Sequence, residues 1–62
     1  MKYDIYRGNK EDMGEGGELM LVKCNRTQVK KFCEKQGFDA EKFLGGDYMV
    51  SDKGGFWLEE AM

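Results

Sequence analysis

Polar and apolar residues alternate from the second position of the chain. Lys2-Tyr3-Asp4-Ile5-Tyr6-Arg7 carries its aromatic and β-branched side chains at a period of two, the pattern of a half-buried strand. The alternation then stops. Gly8-Asn9-Lys10-Glu11-Asp12-Met13-Gly14-Glu15-Gly16-Gly17 holds four glycines and three acids around a single methionine. Residues 8–18 are therefore expected to form a long, mobile, glycine- and acid-rich loop, with Met13 the one apolar side chain it can offer a partner. Glu18-Leu19-Met20-Leu21-Val22-Lys23-Cys24 restores a strand pattern. Its four consecutive apolar residues place apolar side chains on both faces. Two strands joined by such a loop, with no crossover element, form an antiparallel pair.

The period changes to that of a helix at Asn25. Asn25 and Gln28 stand at capping-box spacing, with Thr27 as a competing N-cap. Val29, Phe32 and Cys33 make one apolar stripe, and Lys30, Lys31, Glu34 and Lys35 stand away from it. Gly37 fits the residue after the last helical turn, with Phe38 placed to pack back on Cys33. Asp39 then caps a short helix, Ala40 to Leu44, with Phe38 and Phe43 at staple spacing, and Gly45-Gly46 ends it. Two further β-rich runs, Asp47–Ser51 and Phe56–Glu59, flank Asp52-Lys53-Gly54-Gly55 and predict a closing hairpin.

The pattern predicts one small α+β domain over residues 1–62. Its order is ββαββ, with a single antiparallel four-stranded sheet and one main helix packed on one face. Tyr3, Ile5, Met20, Val22, Phe56 and Leu58 are expected beneath the helix, joined by Val29, Phe32 and Phe38. Alternation then sends Tyr6, Leu19, Leu21 and Trp57 to the opposite face, with Met49 or Tyr48 beside them. The register of the third strand is open, because Tyr48 and Val50 fit the helix side equally well. Nothing else in the chain is expected to cover the second face: the Gly8–Gly17 loop could fold back over it with Met13, but its glycine content predicts a loop that stays loose.

Composition narrows the possible functions. Ten Lys and Arg against twelve Asp and Glu give a net charge of −2, which excludes a strongly cationic, histone-like chain. Aromatic residues make up 13% of the chain, too many for a disordered tail. No run of 18 apolar residues exists to span a membrane, and Asp4 interrupts any signal-peptide core at the start. A cytoplasmic location and no membrane partner are expected. Cys24 and Cys33 have no CxxC spacing and there is no His, so no zinc set is available and two free buried thiols are expected.

Candidate chemistry is sparse. The segment Gly14-Glu15-Gly16-Gly17 precedes a strand instead of a helix, and its acids would repel a pyrophosphate. The carboxylate pairs Glu11-Asp12 and Glu59-Glu60 lie in a loop and near the chain end, where solvent keeps them ordinary acids. Neither thiol has a base to activate it. No catalytic residue, cofactor, metal site or small-molecule substrate is assigned, and an enzyme is not expected.

Two binding readings remain. The first is a protein-interaction module whose uncovered sheet face carries Tyr6, Leu19, Leu21, Met49 and Trp57, with Met13 from the loop. Trp and Tyr are enriched at binding hot spots, and a patch of a few hundred Å² marks an interaction surface. The partner is another protein or a second copy, as a homodimer. Size and composition are those of phage and mobile-element accessory proteins, which implies binding to a host protein complex and inhibiting or modulating it. The second reading is nucleic acid. Lys53-Gly54-Gly55-Phe56-Trp57 resembles, over five residues and with its glycine and aromatic order changed, the strand signature of RNA-recognition and cold-shock sheets. That resemblance implies base stacking on Tyr6 and Trp57 beside Lys53, with Lys30, Lys31 and Lys35 as a basic helix face.

Overall fold

Each element begins and ends where a local signal places it. In the computed structural model, which describes residues 1–61, β1 spans Lys2–Arg7 and β2 Glu18–Cys24. Helix α1 spans Arg26–Gln36. Asn25 is its N-cap: the Asn25 carboxamide accepts from the Gln28 amide at 2.8 Å, and the Gln28 side chain accepts from the Asn25 amide at 2.8 Å. That reciprocal pair satisfies two backbone donors the first turn leaves free. Gly37 ends α1 in the left-handed region, with φ 78°, while the Phe38 amide donates to the Cys33 carbonyl at 2.9 Å. Asp39 then caps α2, Ala40–Leu44, by accepting from the Glu41 and Lys42 amides. Strands β3, Met49–Ser51, and β4, Gly54–Ala61, follow.

The four strands form one antiparallel sheet in the order β2-β1-β4-β3, so the ββαββ architecture is the observed one. The two longest pairings both use β1, which lies in the middle between β2 and β4. Helix α1 lies over β1 and β2, and α2 over β4. The closing turn is tighter than the glycines suggest, because Gly54 and Gly55 belong to β4 and pair with Ser51 and Val50.

The core beneath the helices joins Tyr3, Ile5 and Cys24 from the first two strands to Val29, Cys33 and Phe43, and to Phe56 and Leu58 of β4. Phe32 and Phe38 pack against it, with Phe32 edge-on to Phe56 at 5.2 Å between ring centres. Phe38 and Phe43 meet at 5.7 Å across the start of α2.

Three expected placements are corrected. Met49 packs with this core, since it pairs with Phe56, while Tyr48 takes the opposite face. Met20 and Val22 are exposed, and Cys24, Cys33 and Phe43 fill the volume assigned to them. Leu19 and Leu21 do not share a face. Pairing runs from Tyr6↔Leu19 to Ile5↔Leu21, so β2 spends one extra residue, Met20, on a single step of β1. Leu21 thus falls on the helix side with Ile5, and Leu19 on the far side with Tyr6. A second register shift precedes Tyr3↔Cys24, and Lys23 there adopts φ 50° while its amide donates to Asp4 Oδ1 at 2.9 Å.

Candidate functional site

The far face of the sheet has a small core of its own. Trp57 is only 1% exposed, yet it lies outside the helix-side cluster. Tyr6 stacks on it at 5.8 Å with an interplanar angle of 13°, and Tyr48 flanks it at 6.1 Å. The roof is the segment between β1 and β2. The Gly8 amide donates to the Gly55 carbonyl at 3.0 Å, and the Tyr48 hydroxyl donates to the Gly8 carbonyl at 2.7 Å. A short 3-10 turn follows at Lys10–Asp12, with the Asn9 amide donating to Asp12 Oδ2 at 3.0 Å. The Glu15 and Gly16 amides close on the Asp12 carbonyl at 3.1 and 2.8 Å.

Glycine is what lets this roof descend. A Cβ at Gly17 would stand 2.5 Å from Trp57 Cη2 and 3.0 Å from the Arg7 carbonyl oxygen, and one at Gly8 would meet the same ring atom at 3.2 Å. Gly17 also has φ 90°, where an L side chain is strained. The expectation that glycine content leaves the face open is corrected: these glycines allow the backbone to lie directly on the indole. Gly55 plays the same part opposite Tyr48, whose ring and hydroxyl fill the space a side chain would need. Trp57 Nε1–H donates to Glu59 Oε2 at 3.3 Å. Met13 is half-buried in the roof.

The remaining predicted contact residues therefore separate. Tyr6 is half-buried against Trp57, Met49 lies on the helix side, and Trp57 has no free ring face. Leu19 and Leu21 stay exposed, on opposite faces of the edge strand. Between and beside them stand two residues the alternation had placed in the core. Leu19, Met20, Leu21 and Val22 are 49, 40, 41 and 57% exposed, a continuous apolar run on a strand that pairs on one side only. Its only sequence signal is the run of four apolar residues, which a fully buried central strand would display equally well.

Charges mark the ends of this strand. Glu18, with Glu15 just before it, stands at the β1-to-β2 end, and the Glu18 carboxylate pairs with Arg7. Lys23 and Arg26 are exposed at the other end. The basic residues of α1, Lys30, Lys31 and Lys35, are all exposed, as is Lys53 in the closing turn. The apolar stripe of α1 faces the sheet, so its lysines ring the outer side instead of lining a groove.

Both thiols are free and buried, and burial, the main cause, pushes each above its ordinary pKa. Asp4 adds to the effect at Cys24 and Asp39 at Cys33. Among the described residues no group of three His, Cys, Asp or Glu side chains is placed to hold a metal ion, and no helix is long and apolar enough to cross a membrane.

Fold and surface together define a small α+β domain with one sheet face under helices, the other roofed by its own hairpin loop, and an apolar edge strand. Comparison of the chain with family models, with curated proteins and with solved structures finds no match.

Proposed function

We propose that this chain is a non-enzymatic protein-interaction module that binds through the outer edge of β2. The observation that carries the reading is the exposure of Leu19, Met20, Leu21 and Val22 on a strand with a neighbour on one side only. An edge strand offers a row of backbone donors and acceptors to any strand laid beside it. Apolar side chains on both of its faces add the desolvation that makes such strand addition specific. The partner is a protein segment, and modulation of a host protein complex, as in the accessory proteins this chain matches in size and composition, belongs to the same reading.

Nucleic-acid binding loses its main support. Stacking on Trp57 needs a free ring face, and Tyr6, Tyr48 and the Gly8–Gly17 segment occupy the ring's surroundings. The lysines that remain are those of an ordinary solvated helix face.

The test is retention on immobilised protein, wild type beside a Leu19→Lys/Leu21→Lys double variant, at low and high salt. The expected result is a protein retained by wild type, lost on the variant, and insensitive to salt. Retention that vanishes with salt and with Lys30, Lys31 and Lys35 changed to Glu would overturn the reading in favour of nucleic acid.

A further inference from the structure

We infer that the segment seated on this edge is β2 of a second copy, laid antiparallel, so that two four-stranded sheets join into one of eight. The inference rests on the reading of β2 as the binding edge and names its occupant.

Three features of the strand select a copy of itself. The occupant must bring apolar side chains to both faces at once, because pairing with Ile5 puts Leu21 on the helix side and pairing with Tyr6 puts Leu19 on the other. Ordinary half-buried strands alternate and offer one apolar face; β2 carries Leu19-Met20-Leu21-Val22 and meets the requirement itself. Charge then selects the direction. An antiparallel copy brings the Glu15 and Glu18 end of each strand to the Lys23 and Arg26 end of the other, whereas a parallel copy sets like charges together. Symmetry closes the assembly. Antiparallel pairing across a continuous sheet puts the two-fold axis perpendicular to the sheet, so both α1 helices lie on one side and the contact is isologous, ending at two copies.

Lys23 limits its length. At φ 50° it leaves extended geometry, so the paired stretch is Leu19–Val22, centred on Met20–Leu21, with Glu18 of one copy facing Lys23 of the other just beyond each end. The opposite edge, β3, is three residues long and offers only Val50 as a large exposed apolar side chain. So short an interface falls at the low end of specific contact sizes, and the dimer exchanges with monomer in the micromolar range or above.

Sedimentation equilibrium of the full chain, with reductant, from about 5 µM to about 1 mM tests this. The mass is expected to rise from 7.2 kDa toward twice that value and to stop there. Leu21→Lys holds the chain monomeric, and Val50→Lys on the far edge leaves the dimer intact, each checked for folding by circular dichroism. Glu18→Lys and Lys23→Glu, both at exposed positions, each weaken the dimer about fivefold, and their equimolar mixture recovers wild-type affinity. A monomer at every concentration overturns the inference, as does a mass that climbs past the dimer or a dimer indifferent to Leu21→Lys and the charge variants. If the wild type stays monomeric while the edge variants still lose a retained protein in the experiment above, the second copy fails and the binding edge stands. A dimer that Val50→Lys splits and Leu21→Lys does not overturns the inference and leaves the β2 reading to the retention experiment.

Discussion

Replacing Gly17 by alanine tests the packing of the β1–β2 loop on the far sheet face. Gly17 has φ 90° and its added Cβ would stand 2.5 Å from Trp57 Cη2, well inside the contact distance of two carbons. Two costs combine. Holding an L-residue in the left-handed half of the backbone map costs about 1–2 kcal/mol. Forcing a methyl group into a closed contact costs a further ~1–3 kcal/mol if the ring cannot retreat, and Tyr6 and Tyr48 flank that ring. Gly14 supplies the control, since its φ is 84° but nothing lies within 4 Å of an added Cβ. Gly14→Ala therefore bears the backbone cost alone, and the difference between the variants isolates contact with the indole. In urea denaturation Gly17→Ala is expected to be less stable than Gly14→Ala by about 1–3 kcal/mol, which for a domain of this size lowers the melting temperature by a further ~4–24 °C. The chain has one tryptophan, so emission reports this site alone. Gly17→Ala should shift emission to the red and open Trp57 to iodide quenching, while Gly14→Ala leaves both unchanged. Equal stabilities and an unquenched Trp57 in both variants would refute the packing of the loop on the indole.

Two further outcomes follow from the same structure. Tyr48→Phe keeps the ring beside Trp57 but removes the donor to the Gly8 carbonyl, so it should cost about 1 kcal/mol in chemical denaturation and speed amide exchange at Gly8; unchanged exchange would show that the bond does not hold the loop. The buried thiols make stability depend on alkaline pH. Burial raises the pKa of both Cys24 and Cys33 in the folded chain, so their contribution is complete below the unfolded thiol value of ~8.5 and is lost as pH climbs through the folded values. Denaturation midpoints measured from pH 7 to 10 should fall at the alkaline end, and less so in Cys33→Ala than in wild type; parallel curves for the two proteins would remove the thiols as the cause.

Local chemistry determined most of the architecture. Asn25 with Gln28, Asp39, Gly37 and Phe38 fix where the helices start and stop through hydrogen bonds spanning two to five residues, which neighbours in sequence can specify alone. The period of two marked the strands, and the lack of a crossover between the first two made them antiparallel, as they are. Those signals were legible because the interactions behind them are short-range.

Strand order belonged to the tertiary structure. The same apolar run serves a central or an edge strand, and β4 pairing with β1 is what leaves β2 outside and exposes Leu19 through Val22. The extra residue at Met20 then separated Leu19 from Leu21, because a bulge reverses the side chains after it, here until the second shift before Cys24, and leaves no mark in the alternation. Alternation puts Trp57 on its observed face but carries no signal of its burial, since its cover comes from Gly8 and Gly17, more than thirty-five residues away. In sequence those glycines signify freedom of the backbone. In the fold the same missing Cβ lets the backbone lie against the indole of the molecule's second core, and only the position of that ring decides which property is used.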